Sequence, residues 1–297
     1  MAGNLLNRLF GRSSPPPEVE SALAALDQLA RQRPTLAGPA AVLRDVLPAL
    51  FEESGRDSIP SLTPDEAAAK LTAGVPLLRD ESLVPESKSL HRRWQRVCAA
   101  VRQHQGGDGA SALEQAVRQG KLGPLDLVRD VLAGNADALH ARVDALGLDA
   151  GLAGTVLRFS LFPVLAKVNT SLAPLREGTR WERGFCPTCG SWPLLGEFRG
   201  LEQVRFLRCG LCAAEWGFPR LCCPFCGTED HDVLGYLHVE GEESRQRAAT
   251  CDACRGYVKM VTTLSPLGAA DLLVQDVATM HLDLIAAEKG YGPPAAE

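Results

Sequence analysis

The chain has 297 residues, of which 45% are hydrophobic, and a formal charge of −5. That length suffices for about two domains, and the composition is that of an ordinary folded protein. Residues 1–12 hold only a short apolar patch interrupted by Asn7 and Arg8, and no run reaches the ~20 apolar residues that a membrane helix needs. We therefore expect no secretory signal and no membrane span, and we place the chain in the reducing cytoplasm.

The first 170 residues show helical periodicity behind a proline-rich lead-in, residues 1–17, which predicts a flexible N-terminus. Thr63-Pro64-Asp65-Glu66 is a capping box with proline at the first helical position. Apolar stripes predict further helices over Glu86–Gln105, Ser111–Gln119, Pro124–Ala133, Ala136–Leu146 and Gly151–Val168. The sequence of this half contains no nucleotide-binding loop, no telling pair of carboxylates and no nucleophile elbow.

Four Cys-x-x-Cys pairs follow between residues 186 and 254. The first and third read Cys-Pro-x-Cys-Gly, and the second and fourth lack the proline and the glycine: Cys186/Cys189, Cys209/Cys212, Cys223/Cys226 and Cys251/Cys254. Such a turn can aim two thiolates and several backbone amides at one metal ion, and two turns close a tetrahedral site of four cysteines. Four pairs in register favour metal binding over a single redox-active or accidental pair.

The pairs form two units, and a hairpin can close each unit. Nineteen residues separate the pairs of the first unit and twenty-four those of the second. Strand-like segments within and after these gaps are Trp192–Phe198, Gln203–Arg208, Asp232–Val239, Ser244–Thr250 and Gly256–Thr263. Pairing within units predicts one site from the first four cysteines and one from the last four, although an interleaved arrangement would use the same residues.

Disulfide bonding is the main alternative for these cysteines. An extracellular chain of this size normally carries a secretory signal, and none is expected here, so thiolate ligands are favoured. Cys222 lies directly before Cys223 and cannot join the same turn without changing its spacing, so we predict a bystander. Cys98 falls on an apolar helical stripe with Trp94 and Val101 and is predicted to be a core residue.

The segments that flank the cysteine region complete the chain. Residues 171–184 mix a proline, two glycines and charges, a composition typical of a hinge or docking segment. After the cysteine region, one last helix is predicted over Ala269–Lys289, ended by the run from Gly290 to Pro294.

The cysteine region and the tail resemble the formate dehydrogenase accessory protein family, FdhE. The resemblance covers roughly residues 180–291 with specific motifs and the helical half only in outline. Its markers besides the cysteine pairs are Glu215-Trp216, Arg220, Tyr257-x-Lys259, Asp276-x-Ala278-x-x-x-Leu282-Asp283 and Glu288-x-Gly290-Tyr291. The family commonly carries an Asp-Asp pair where this chain has Gln275-Asp276.

The resemblance implies a cytoplasmic accessory protein, and the residues predict no catalysis, because they offer closed metal sites and no constellation of acid, base and nucleophile. Members of the family bind iron in rubredoxin-like sites of four cysteines and contact the catalytic subunit of respiratory formate dehydrogenases before its export through the twin-arginine route. Together with the sequence patterns, the resemblance predicts a multidomain fold. Its parts are an N-terminal all-α domain (18–170), a linker (171–184), two tandem small β modules that are rubredoxin-like or zinc-ribbon-like (185–222 and 223–266), and a C-terminal helix and tail (267–297).

Two other classes of protein compete with this interpretation. A zinc-ribbon module for nucleic acid is disfavoured, because residues 184–265 hold 8 Lys and Arg against 10 Asp and Glu, whereas phosphate binding needs clustered positive charge. A rubredoxin-like electron-transfer or thiol-redox protein would use the same cysteines but requires neither two tandem sites nor a large helical domain. Four thiolates suit zinc as well as iron; the donor set alone favours zinc, and the resemblance favours iron.

Trp216 and Arg220 lie between the two predicted modules and are candidate partner-binding residues. Aromatic and arginine side chains are common anchors of protein interfaces. The alternative is structural: Trp216 would pack the junction, and Arg220 would brace a carbonyl or carboxylate there.

Overall fold

The structure, a computed structural model, describes residues 16–52 and 57–292. The predicted flexible N-terminus, residues 1–17, lies outside the described residues apart from Pro16 and Pro17, and Pro17 begins the first helix. The helices of the first half are α1 (Pro17–Gln32), α2 (Ala37–Leu50), α3 (Pro64–Thr72), α4 (Ser87–Gln105), α5 (Gly109–Arg118), α6 (Pro124–Leu132), α7 (Ala136–Asp144) and α8 (Ala150–Leu172).

The helices of the first half pack around α4, which contacts α2 and α8, and their buried side chains form one continuous core with those of the sheet. Trp94, at the centre of α4, is fully buried. The predicted capping box is confirmed at the start of α3: the Thr63 hydroxyl accepts the Glu66 N–H, and the Glu66 carboxylate accepts the Thr63 N–H at 2.8 Å. Each of the two residues thereby accepts the backbone N–H of the other, and two donors at the helix start that would lack a partner are satisfied.

The helix α8, with the short 3-10 turn Ala173–Arg176 that follows it, is long and apolar enough to cross a membrane by length and composition, which the sequence analysis did not expect. However, 61% of its most apolar stretch is buried inside the fold. Phe162 and Leu165, near its centre, are fully buried in the helical core. In this fold α8 is therefore buried as the core helix of a soluble protein is.

Six strands follow, and they form one sheet in the order β3-β2-β1-β6-β5-β4. The five predicted strands are confirmed to within two residues at each end, and β3 is a short addition. Their bounds are β1 (Pro193–Arg199), β2 (Val204–Cys209), β3 (Glu215–Gly217), β4 (Leu234–Leu237), β5 (Gln246–Cys251) and β6 (Tyr257–Thr263). All neighbours are antiparallel except β1 and β6, which run parallel with Leu195 opposite Lys259.

The sheet joins the two cysteine units head to tail. Each unit contributes three consecutive strands, and the first strand of the first unit pairs with the last strand of the second. The two units therefore share backbone hydrogen bonds and buried side chains such as Phe198 and Met260.

The C-terminal segment is helical, but the single predicted helix Ala269–Lys289 is wrong in one respect. It is divided into α9 (Ala269–Ala278) and α10 (Met280–Glu288), which meet at Thr279. The Thr279 hydroxyl donates to the carbonyl of Gln275 at 2.7 Å, and its backbone (φ −103°, ψ 7°) leaves the helical region. Threonine side chains that bond to the preceding turn commonly bend or interrupt helices in this manner.

Candidate metal centres

The first cluster brings together Cys186, Cys189, Cys209 and Cys212, whose sulfur atoms all lie within 4.8 Å of one another. The first pair lies in the turn before β1, and the second lies at and after the end of β2. The hairpin sets Pro193 opposite Cys209, which brings the two turns together. The Sγ atoms of Cys186 and Cys212 are 3.5 Å apart, as are those of Cys189 and Cys209.

The second cluster repeats this arrangement with Cys223, Cys226, Cys251 and Cys254. The hairpin of β4 and β5 sets Leu234 opposite Cys251, as the first hairpin does for Cys209. The Sγ atoms of Cys223 and Cys254 are 3.6 Å apart, and those of Cys226 and Cys251 are 3.7 Å apart. The cysteines thus group within each unit and not between units.

The sulfur separations fit a tetrahedral metal ion. Metal–sulfur bonds of about 2.3 Å place the ligand sulfurs of a tetrahedral ion about 3.8 Å apart, close to the separations of 3.5–3.7 Å in both clusters. They are far longer than the ~2.0 Å of a disulfide bond, and all ten cysteines are free thiols. Each donor set could hold a thiophilic ion such as zinc or iron, with all four positions filled by protein.

The four cysteine turns share one backbone geometry. In each turn, the residue four positions after the first cysteine has a positive φ: Gly190 (81°), Ala213 (59°), Gly227 (71°) and Arg255 (59°). The N–H groups of Gly190, Ala213 and Gly227 donate to the carbonyl of the first cysteine of their turn at 2.9–3.0 Å. Because glycine adopts the left-handed region without a steric penalty, this geometry explains the glycine of Cys-Pro-x-Cys-Gly. Ala213 and Arg255 adopt the same conformation with a side chain.

Burial raises the pKa of several clustered thiols, whereas hydrogen bonds from neighbouring cysteines lower the pKa of Cys189. Desolvation raises the pKa of Cys209 and Cys212 well above that of an ordinary thiol, and it raises the pKa of Cys223 in the second cluster as well. Buried thiols of this kind stay protonated unless a positive charge stabilises the thiolate. A bound metal ion supplies that charge and releases the protons.

The two remaining cysteines lie outside both clusters. Cys98 is fully buried in the helical core, where burial raises its pKa to about 12. Cys222 is buried, and its Sγ lies 3.7 Å from the carbonyl oxygens of Cys223 and Gly227. Cys222 belongs to neither group of converging sulfur atoms in the described residues.

The tail motifs form a buried ionic cluster behind the sheet. Lys259 on β6 donates to the carboxylates of Asp276 and Asp283, both at 2.8 Å. Arg158 from α8 donates to Asp276 at 3.1 Å, and the Tyr257 hydroxyl donates to Asp283 at 2.8 Å. The cluster therefore ties the sheet to the C-terminal helices and to α8, and Asp276 makes these bonds without a second acidic residue at Gln275.

The two candidate partner-binding residues have different environments. Trp216 is 5% exposed, and its indole N–H donates to the carbonyl of Arg183 at 3.2 Å, so it packs against the segment 171–184 that follows the helical half. Arg220 is exposed, and its guanidinium carbon lies 5.1 Å from the centroid of the Phe198 ring. Arg220 also lines a cavity beside the second cluster, together with Leu221 and Tyr236.

A contact that the sequence analysis missed holds the first cluster against the helical half. The backbone N–H groups of Leu77 and Leu78, in the loop after α3, donate to the carbonyls of Pro187 and Thr188 at 2.9 and 2.8 Å. The Thr188 hydroxyl donates to the amide oxygen of Asn169 on α8 at 3.0 Å. Backbone bonds between distant segments leave no signature in the sequence, which is why no motif pointed to them.

A helical first half, one shared sheet with two four-cysteine clusters, and C-terminal helices together define the class of protein to which the chain belongs. The family model "FdhE, central domain" matches residues 185–220, and "FdhE, C-terminal domain" matches residues 221–296. The FdhE homolog of Stutzerimonas stutzeri is 33% identical over 256 residues, which cover 84% of this chain and 72% of the relative. This chain is a member of the FdhE family.

Further comparisons agree with this membership. The FdhE homolog of Pseudomonas aeruginosa is 40% identical over 131 residues, which cover 40% of this chain and 41% of the relative. The crystal structure of the FdhE protein from Pseudomonas aeruginosa superposes with a TM-score of 0.59 at 25% identity and covers 96% of both chains. The likeness in structure therefore extends over the helical half, where the motifs are weakest.

Proposed function

We propose that this chain is an accessory factor of respiratory formate dehydrogenase. It would bind the catalytic subunit of that enzyme in the cytoplasm before export, and it would catalyse no reaction itself. Membership of the FdhE family supports the accessory role. The observation that carries the proposal is the pair of closed four-cysteine clusters, because sites filled entirely by protein ligands leave no position for a substrate.

The proposed ligands of two metal ions are the eight clustered cysteines. One ion would be held by Cys186, Cys189, Cys209 and Cys212, and the other by Cys223, Cys226, Cys251 and Cys254. Iron is proposed for both sites, with zinc as the alternative. A metal ion bound in this way supplies folding energy to its module, and iron can also exchange one electron. The residues themselves orient the thiolates through the shared turn geometry and through backbone N–H groups such as that of Leu211, 3.4 Å from the Cys209 Sγ.

The proposed partner surface is centred on Arg220. Its side chain is exposed beside Leu221, which is 62% exposed, and Tyr236, which is 41% exposed. Arginine and aromatic side chains with an apolar neighbour are frequent anchors of protein interfaces. Trp216, in contrast, would contribute indirectly by fixing the junction between the sheet and the helical half.

A gene deletion tests the accessory role. Loss of the gene should lower formate dehydrogenase activity while the transcripts of the enzyme stay unchanged. Normal formate oxidation in a deletion strain without a paralogue would refute the role. Arg220→Ala should weaken partner binding with metal content and fold intact, whereas Arg118→Ala, which removes an exposed arginine of α5, should not. Equal binding by the two variants would remove Arg220 from the proposed surface.

A further inference from the structure

The two four-cysteine clusters differ in their access to solvent. In the first cluster, the exposed fractions are 0% for Cys186, Cys209 and Cys212 and 3% for Cys189. In the second cluster Cys223 and Cys251 are equally buried, but Cys226 is exposed and Cys254 is half-buried. Two sites with the same ligands and the same turn geometry therefore present different surfaces to the solution.

The helical half seals the first cluster. The N–H groups of Leu77 and Leu78 bond to the turn that carries Cys186 and Cys189, at the carbonyls of Pro187 and Thr188. Gly190, the last residue of the same turn, is also covered, because a Cβ added there would lie 3.2 Å from the Pro76 side chain. Access to these sulfur atoms therefore requires that the loop at 76–79 separates from the cysteine turn.

The corresponding turn of the second cluster is covered differently: Gly184, in the segment 171–184, packs closely against the Pro224 carbonyl. Phe225, at the position equivalent to Thr188, packs within its own half against Trp192, with ring centroids 5.4 Å apart. Among the described residues, no backbone N–H of the helical half bonds to the carbonyls of Pro224 or Phe225. A Cβ added to Gly227, the equivalent of Gly190, would meet no atom within 4 Å. The Cys226 side of the cluster is thus open.

The C-terminal tail covers only the other turn of the second cluster. The Gly292 N–H donates to the Arg255 carbonyl at 2.9 Å, and the Tyr291 hydroxyl donates to Asp252 at 2.7 Å. These contacts hold the turn of Cys251 and Cys254 and do not reach the turn of Cys226.

We infer that the second cluster is the exchangeable metal site, at which an ion is taken up and released through the Cys226 side, whereas the first cluster holds its ion as a closed structural centre. The ligand class is a thiophilic divalent cation, Zn²⁺ or Fe²⁺. The inference rests on the proposed binding of two ions, and it assigns them different roles. Opening of the first cluster breaks two interdomain backbone bonds, and opening of the second breaks none of that kind.

Chelation of the full-length protein loaded with zinc tests the inference. With an excess of a chromophoric chelator, one ion should leave about thirtyfold faster than the other, the factor expected when two hydrogen bonds of ordinary net strength oppose opening. Cys226→Ser should remove the fast phase, and Cys189→Ser should remove the slow phase. Release of both ions in a single phase, or loss of the slow phase in Cys226→Ser, would overturn the inference. A chain that holds fewer than two zinc ions before chelation would instead refute the proposed metal binding.

Alkylation of the chain without any substitution tests the inference even if the cysteine variants fail to fold. Brief alkylation of the zinc-loaded protein, read by peptide mass spectrometry, should modify Cys226 and Cys254 before any cysteine of the first cluster. Simultaneous modification of both clusters would overturn the inference.

Asn169→Ala, which removes the bond to Thr188, should accelerate release of only the slow ion. Thr170→Ala, an exposed change on the same helix, should leave both release rates unchanged. Equal slow rates in these two variants would contradict the sealing role of the helical half.

Discussion

Arg255, in the last cysteine turn, stacks on the ring of Tyr291 in the C-terminal tail: the guanidinium carbon lies 3.9 Å from the ring centroid. Arg255 also donates to the carbonyl of Lys289 at 2.5 Å. The motif Glu288-x-Gly290-Tyr291 therefore has a structural role: it closes the turn that carries two of the clustered cysteines. Arg255 makes these contacts from a left-handed backbone conformation, with a φ of 59°.

Two substitutions at Arg255 separate its side-chain contacts from its backbone strain. Arg255→Ala and Arg255→Gly both lose the contacts with the tail, but only glycine relieves the positive φ. We expect Arg255→Gly to be more stable than Arg255→Ala by about 1 kcal/mol, the usual penalty of a side chain in this region. Urea denaturation at equal metal content measures the difference. Equal stability of the two variants would show that the positive φ carries no strain.

Two glycine substitutions test the docking of the helical half on the first cluster. Gly190→Ala and Gly227→Ala place the same methyl group at equivalent positions with φ values of 81° and 71°. At Gly190 the new Cβ meets Pro76 at 3.2 Å, and at Gly227 it meets no atom within 4 Å. Gly190→Ala should therefore lower the thermal midpoint more than Gly227→Ala. The reverse order would contradict the contact between the turn and the loop at 76–79.

The buried ionic cluster predicts a pH-dependent loss of stability. Burial acts to raise the pKa of Asp276, but the positive charges of Lys259 and Arg158 outweigh it, so the pKa of this carboxyl is lowered. A carboxyl with a lowered pKa contributes stability above its unfolded value, about 3.9, and loses it as the pH falls through the folded value. Asp276→Asn should cost about 3 kcal/mol near neutral pH, because it leaves Lys259 buried with one charged partner fewer.

The pH profile of that variant supplies its own check. The difference in unfolding free energy between Asp276→Asn and the parent should shrink as the pH falls below about 4, because the unfolded parent then binds a proton that the folded parent takes up only at lower pH. Asp108→Asn, at an exposed carboxylate without a capping bond, should follow the parent at every pH. A constant difference for Asp276→Asn would mean that packing, and not charge, holds the cluster.

Two cysteine substitutions distinguish ligand from bystander. Cys189→Ser should reduce the metal content from two ions to one, because loss of a thiolate ligand removes binding free energy that also folds the module. Cys222→Ser should leave two ions in place, because the Cys222 sulfur points at backbone carbonyls and not into the second cluster. Metal analysis of the purified variants gives the ratio directly. A loss of metal in Cys222→Ser would identify it as a ligand and overturn the assignment.

The local features of this fold could be predicted from the sequence, because spacing and turn chemistry determine them. The Cys-Pro-x-Cys-Gly turns, the hairpins between them and the capping box at Thr63 all depend on residues close together in the chain. The break at Thr279 was missed because an apolar stripe continues through it, and only the hydroxyl bond to Gln275 interrupts the helix. The strand β3 has three residues, too few for an alternating pattern.

The long-range features could not be predicted, because they depend on backbone groups that every residue carries. The parallel pairing of β1 with β6 joins segments about sixty residues apart through N–H and carbonyl groups. The same holds for the bonds of Leu77 and Leu78 to the first cysteine turn. The clusters also differ in exposure, so two units that read as equivalent in sequence become different sites.

Purification of the chain from its native host without denaturation, with metal analysis of the same sample, tests the central claim most directly. The proposed function predicts two metal ions per chain, with iron as the expected metal, and co-purification of the catalytic subunit of a formate dehydrogenase. The Cys189→Ser variant, purified in parallel, should carry one ion. Fewer than two ions on the parent chain, or no formate dehydrogenase subunit from cells that make the enzyme, would contradict the account.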